Sequence, residues 1–316
     1  MTQTAEAAPA HIAANGLIFA ALPPLFWAGN FLFARMFRDA IPPFQMSFWR
    51  WVVAFLILAP FVAPQLRGTW PVLRREWRFL AVLGLFGVTA FNCFIYVALH
   101  HTTVVNAALI NSLMPMVTFA FAFLLLGTRL DRQQLTGVAI SMAGAAVVIT
   151  QGSLAGMADL DFNVGDLLVV GGLACWALYT VMIRWRPSAL PPLPFLLATI
   201  AFGAIFHLPL VAYELATVGS FTAGASEIMV IAYYAILPSL LAYIFWNRAV
   251  ARLGPGRVAM FMHLMPIFSA LLAVVFLDEK LHVYHFIGLL LIVGGITLVT
   301  RPRKPNSSRL TPEKIS

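Results

Sequence analysis

Residues 111–126 read NSLMPMVTFAFAFLLL and residues 262–277 read MHLMPIFSALLAVVFL, two long runs without a Lys, Arg, Asp or Glu. About 20 such residues are what an α-helix needs to cross the hydrocarbon core of a bilayer. The runs are continuously apolar rather than alternating, which favours helices over a β-barrel. Composition agrees: the chain is 61% hydrophobic and 10% charged, with mean hydropathy +0.89, whereas soluble domains carry about 25% charged residues. A net charge of +8 in such a chain reflects basic cytoplasmic loops. With no zinc-knuckle or helix-turn-helix pattern beside it, no nucleic-acid partner is expected. Cys93 and Cys175 fall inside apolar stretches, so neither a structural disulfide nor a zinc site is expected. The N-terminal MTQTAEAAPAHIAANG has no Lys or Arg, which predicts that the first apolar run is retained as a span rather than cleaved as a signal peptide.

Reading along the chain predicts spans at 14–36, 44–63, 77–98, 103–126, 133–150, 164–184, 193–213, 226–249, 256–277 and 282–300. With both termini cytoplasmic, sixteen of the twenty Lys and Arg fall on the inside. Only Arg35, Arg38 and Lys280 fall outside, and Arg50 lies within the second span. This is a strong positive-inside bias. The Leu-Met-Pro phrase at Leu113–Pro115 recurs at Leu264–Pro266, an offset of 151 that also lays Leu130 on Leu281, Gly137 on Gly288 and Gly144 on Gly295. An offset of 149 lays Trp27 on Trp176. Five spans per half is an odd number, so the second half must enter the membrane from the opposite side. The expected fold is an all-α polytopic membrane protein of ten transmembrane helices, built as two inverted five-helix repeats. Such repeats are common in secondary transporters, with the substrate site near the midplane between them. The predicted organisation is a cytoplasmic tail at 1–13, a first repeat at 14–150, an outside connection at 151–163, a second repeat at 164–300 and a basic cytoplasmic tail at 301–316.

The repeated pattern of Leu-Met-Pro, an apolar run, a short turn and Leu, followed by Gly137 or Gly288 on a small-residue helix, resembles the EamA family of the drug/metabolite transporter superfamily. The resemblance extends from the Trp27 segment to Thr300. In that family each half ends a span with a Leu-Gly-Glu-like turn; here the second copy has Glu279 and the first has Thr128. The resemblance implies the ten-helix fold and export across the bacterial inner membrane. The dense aromatic content looks most like the bacterial aromatic amino acid exporters, which implies Trp, Phe and Tyr as substrates.

Candidate substrate-binding residues follow from polar and aromatic positions inside spans, where each polar group needs a partner. Asn92 and Tyr96 in span three correspond at offset 151 to Tyr243 and Asn247 in span eight, the same pair in swapped order. Trp27 and Asn30 in span one match Trp176 and Tyr179 in span six, and Trp246 adjoins Asn247. Aromatic rings beside amides suit a flat apolar body with a zwitterionic head; the alternative is hydrogen bonding and packing between helices. Pro115 and Pro266 each delete an intrahelical hydrogen bond, predicting helix breaks at matching places. Asn106, Asn111 and Ser112 lie near the first proline and His263 near the second, where the imidazole is a candidate for a substrate carboxylate. Arg50, between Trp49 and Trp51, is expected to snorkel to the membrane interface as an anchor. Gly137, Ser141, Gly144, Gly288 and Gly295 are expected to permit close helix contact.

His100, His101, His282 and His285 lack a carboxylate or third ligand at metal-binding spacing, so neither metal nor cofactor is expected. No carboxylate falls in the middle third of a span, which predicts facilitated or weakly coupled efflux rather than a proton relay. HExxH, GxSxG and phosphate-loop motifs are absent from the sequence, which argues against a membrane-embedded enzyme. The sequence likewise has no repeated carbonyl filter or charge ring to suggest a channel. The expected partners are a small-molecule substrate, an amino acid or related metabolite, and the lipid bilayer. The chain is expected to act as a monomer, with a dimer as the alternative.

Overall fold

The structure is a computed structural model. It describes residues 10–37, 41–98, 100–153, 163–277 and 280–301. The side chains of 10–15, 30–37, 104–105 and 277 lie outside that description, as do Asp278 and Glu279 altogether.

The described residues form helices and no strands. They are α1 (Ala10–Phe37), α2 (Pro43–Arg75), α3 (Trp77–Ala98), α4 in two pieces (Val104–Asn111 and Met114–Leu126) and α5 (Arg132–Ile149). The second half supplies α6 (Val164–Trp185), α7 (Pro192–Thr217), α8 (Ala225–Leu253), α9 (Pro255–Phe276) and α10 (Val283–Thr300). Among the described residues, eight helices, α2–α4 and α6–α10, are long and apolar enough to cross a membrane. The described side chains of α1, Gly16–Gly29, form an apolar stretch, and α5 opens on the polar Arg132-Gln133-Gln134. The chain is a multi-pass membrane protein.

Two helix starts are cut to the same plan. Asp131 accepts a hydrogen bond from the Gln134 amide at 2.7 Å while Gln134 accepts one from the Asp131 amide at 3.1 Å, a capping box that satisfies two orphan donors. At the positions 151 residues on, His282 and His285 form the equivalent box at the start of α10, with the His282 amide donating to His285 Nδ1 at 3.0 Å. The imidazole of His285 is therefore a helix cap.

α5 and α10 pack through glycines. A Cβ on Gly137 would fall 2.7 Å from Gly295 O, and one on Gly144 would fall 2.8 Å from Gly288 O. The chains run antiparallel across this seam, and the shift of 151 carries each contact into the other. Gly137 becomes Gly288, which faces Gly144, and Gly144 becomes Gly295, which faces Gly137. Small residues let two backbones approach this closely.

α2 is longer than the sequence predicts, running past the expected end at 63 to Arg75 with Pro60, Pro64 and Pro71 inside it. Each proline removes one helical hydrogen bond but leaves the rest, and Arg74 and Arg75 in the last turn complement the negative end of the helix dipole. The other end of α2 is held by α7. Glu214, 4% exposed, accepts hydrogen bonds from the Phe44 and Gln45 amides at 3.1 and 2.8 Å, while Gln45 Nε2 donates to Gly219 O at 2.8 Å. A buried carboxylate on a helix N-terminus gains both charge-assisted bonds and the dipole. Replacing Glu214 with Ala is expected to destabilise the protein by about 1–3 kcal/mol through the two orphaned amides, with Gln, which keeps one acceptor, losing less. Equal thermal stability of both variants and the parent in detergent would remove this role.

Candidate transport site at the interface of the two halves

α3 and α8 each contain a π-helical segment, Leu85–Ala90 and Ala235–Leu241, at positions related by the same shift of 151. A π-segment frees carbonyls from the α-helical ladder and often marks a functional position. Here the equivalent carbonyls of Gly87 and Pro238 each take a donor from the opposite half: Tyr243 Oη donates to Gly87 O at 2.5 Å, and Trp27 Nε1 to Pro238 O at 2.9 Å.

These donors belong to an aromatic cluster. Trp27 and Trp176 pack edge-on at 5.1 Å between ring centres, Trp176 meets Tyr243 at 5.3 Å and Trp246 at 5.6 Å, and Trp51 meets Tyr243 at 4.9 Å. Tyr179 donates to Asn247 Oδ1 and Trp246 Nε1 to Thr180 Oγ1, both at 3.1 Å. None of the rings of Trp27, Trp51, Trp176, Tyr179, Tyr243 and Trp246 is more than 7% exposed. Edge-to-face pairs add to the burial energy of each ring, so the cluster is a packed joint between α1, α2, α6 and α8. Trp51 was not among the sequence-derived candidates; as one of the most buried side chains it belongs to this joint.

The helix interruptions lie elsewhere. α4 breaks at Ser112–Leu113, and Pro115 takes the second position of the following piece, where its missing N–H leaves no hydrogen bond unmade. In α9 a 3₁₀ stretch, Met260–Leu264, precedes Met265 and Pro266. Between the two breaks, His263 Nε2 lies 2.7 Å from Ser112 O and His263 Nδ1 lies 2.6 Å from Ser141 Oγ. Ser112 and His263 are 151 residues apart, so this bond joins equivalent positions of the two repeats. A carbonyl only accepts, so Nε2 carries the proton and, in the neutral ring, Nδ1 accepts from the Ser141 hydroxyl. Ser141 is thus a polar partner as well as a small residue in the α5–α10 seam.

This contact lines a cavity of about 530 Å³, together with Asn111, Pro266, Lys280 and His285. Asn111 Oδ1 is buried and without a hydrogen-bond partner, and the cavity reaches the exposed Lys280 before α10. A second, larger cavity of about 890 Å³ between α4 and α5 is walled by Met116, Phe123 and Leu135, which are exposed on the outer face and suit lipid chains.

The sequence-derived candidates therefore divide. Asn111, His263 and Pro266 line the polar cavity, whereas Trp27, Trp176, Tyr179, Tyr243, Trp246 and Asn247 line neither cavity. Asn92 donates to Val88 O of its own helix at 2.7 Å. Asn106 Nδ2 reaches Asp166 Oδ2 at 3.5 Å, near the Thr102–Asp166 bond of 2.5 Å. The Asn30 side chain lies outside the described ones. Arg50 corrects an expectation: it does not snorkel outward but is 3% exposed, with Nη1 donating to Tyr96 Oη at 3.3 Å.

Comparison with known proteins decides the family. The model of the EamA-like transporter family matches residues 14–150 and again 163–301. The chain belongs to the EamA-like transporter family. Its two halves are the two family repeats, and the resemblance read from the Leu-Met-Pro phrases holds. An uncharacterized transporter of Archaeoglobus fulgidus is 30% identical over 286 residues, spanning 89% of this chain and 95% of that one. A probable terminal-alkyne amino-acid exporter of Streptantibioticus cattleyicolor is 26% identical, spanning 87% and 90%. A solved crystal structure, 21% identical, superposes with a TM-score of 0.74 over 91% of this chain and 96% of that one, so the EamA chain shares its fold.

Proposed function

We propose that this EamA transporter exports amino acids, with the aromatic ones favoured, by facilitated alternating access between two inverted five-helix repeats. The ten helices α1–α10 are its spans, it acts as a monomer, and it sits in the bacterial cytoplasmic membrane with both termini inside. The observation that carries the reading is the His263–Ser112 bond at the inner end of the polar cavity. Repeat-equivalent positions meet there, between two interrupted helices, as the substrate region of an inverted-repeat carrier requires. The antiparallel α5–α10 seam, whose contacts the repeat shift exchanges, supports a two-fold axis lying in the membrane plane. The positive-inside count supports the orientation, in which the Lys280 mouth of the cavity faces outward.

Asn111 Oδ1 offers an acceptor to the ammonium of a substrate, His263 Nε2–H can donate to a substrate oxygen in place of Ser112 O, and the cavity volume is of the size that holds a small ligand. A relative whose name describes an amino-acid exporter supports the substrate class. Rocking of the halves about the aromatic joint would open the opposite face, and the described buried carboxylates, Asp166 and Glu214, are held at helix starts rather than along a proton path.

The test is counterflow in liposomes carrying the purified chain. Labelled Trp, Phe and Tyr are expected to exchange saturably, and a proton gradient alone is expected to drive no accumulation. Exchange of aliphatic amino acids with indifference to all three aromatic ones would overturn the aromatic preference; uphill uptake driven by protons would overturn the facilitated mechanism.

A further inference from the structure

Arg50 lies on the third turn of α2, in the stripe of buried residues Ser47, Arg50, Trp51, Ala54 and Leu58. Its guanidinium carbon sits 5.0 Å from the Trp51 ring centre and 5.7 Å from that of Tyr234 on α8. Nη1 reaches Tyr96 on α3 at 3.3 Å, and Nε is buried with no hydrogen-bond partner. Three helices from both halves thus enclose a cation, yet among the described residues no carboxylate is recorded in contact with it. The buried carboxylates among the described residues are committed elsewhere: Glu214 caps α2, and Asp166 binds Thr102 and Asn163.

A buried guanidinium without a counter-ion is strongly unfavourable unless a partner is supplied, and ionisable groups inside membrane proteins face the bundle interior and mark substrate pathways. Cation–π contacts to Trp51 and Tyr234 hold the group in place but leave its fork of donors largely unused. Trp51 Nε1, on the adjacent residue, is also a buried donor without an acceptor. The repeat does not require this arginine. A shift of 149 lays Pro43 on Pro192 and Pro60 on Pro209, and it lays Arg50 on Thr199, whose hydroxyl is satisfied by Leu196 O of its own helix at 2.8 Å. The architecture is two-fold at this level and the charge is not, which sets Arg50 apart from the packing pattern.

We propose that Arg50 is the carboxylate anchor of the transport path, binding an anionic head group between the halves while Trp51, Tyr96 and Tyr234 frame the adjoining organic part. This deepens the amino-acid reading above and names the group that selects for an acid. A guanidinium presents paired N–H donors that match a carboxylate bidentately, and an aromatic surround accepts a flat side chain beside it.

The test is ligand-dependent thermal stabilisation of the purified full chain in detergent, with L-phenylalanine, L-phenylalaninamide and 3-phenylpropionate as probes. Both acids are expected to bind the parent more tightly than the amide. Arg50→Gln is expected to weaken both acids by about 10- to 100-fold, the size of a hydrogen bond to a charged group, and to leave the amide unchanged. Arg50→Lys, which keeps the charge but loses the fork, is expected to fall between and guards against misfolding of the Gln variant. The proposal is overturned if Arg50→Gln weakens acids and amide alike, if it weakens neither, or if no acid stabilises the parent. Counterflow separates the two ideas: Arg50-dependent binding of 3-phenylpropionate without amino-acid exchange overturns the substrate reading and keeps the anchor. Phenylalanine exchange that persists at full rate and affinity in Arg50→Gln does the reverse.

Discussion

Replacing Gly295 with valine is expected to lower the stability of the folded protein by about 3 kcal/mol. A Cβ at this position would lie 2.4 Å from Gly137 O, 2.6 Å from Ser141 Cβ and 2.7 Å from Ser141 N. Two of these are backbone atoms of α5, so no change of rotamer relieves the overlap and the helices must separate. Separation also opens the reciprocal contact of Gly144 with Gly288, because a rigid pair cannot part at one crossing alone. Overpacking a well-filled site commonly costs about 1–3 kcal/mol, and a seam engaged at two points along its length should lie at the upper end. Gly294, its neighbour, has open space where a Cβ would stand, so Gly294→Val is the control and should behave as the parent does. The readout is the monodisperse peak on size exclusion and the melting temperature in detergent. Similar behaviour of the two valine variants would mean that the seam is not tightly closed.

That seam was legible in the sequence because glycine at 137, 144, 288 and 295 has few other uses on an apolar helix, and the offset of 151 paired the positions. The Leu-Met-Pro phrases were legible for the same reason. The π-segments were not: each is a local surplus in helical winding that changes no residue type. Gly87 and Pro238, which would have matched at offset 151, look like ordinary breaker residues until their carbonyls are seen to take Tyr243 and Trp27. The placement of Arg50 differs from the expected one because a long stem permits either snorkelling or burial. The deciding signal was the three-and-four spacing of Ser47, Arg50, Ala54 and Leu58, which puts the charge on the inward stripe. The aromatic candidates were found from their residue types alone. Type and spacing say that rings meet, but whether they wall a pocket or fill it depends on packing distances of about 5 Å, which no linear pattern encodes.

Replacing His263 with alanine is expected to impair both stability and transport, and the double variant with Ser141→Ala separates the two. The imidazole is 1% exposed and uses both nitrogens, Nε2 on Ser112 O and Nδ1 on Ser141 Oγ. Its loss leaves a carbonyl and a hydroxyl unpaired at the end of the cavity, each worth about 1–3 kcal/mol when buried. Water entering from the polar cavity would recover part of that, which predicts a net loss of about 2–4 kcal/mol including the truncated ring. Ser141→Ala removes one of the two bonds and should cost about 1 kcal/mol, and the pair should couple by about 0.5–3 kcal/mol because they share a contact. Transport discriminates further. In the neutral ring Nδ1 only accepts and Nε2–H is the sole donor, so a substrate oxygen can reach His263 only by displacing Ser112 O. Ser141→Ala, which leaves Nε2–H untouched, should leave counterflow largely intact, whereas His263→Ala should reduce counterflow by about tenfold or more. If Ser141→Ala and His263→Ala lower counterflow in proportion to their loss of stability and by nothing beyond it, the histidine is a strut between the two repeats and takes no part in holding the substrate.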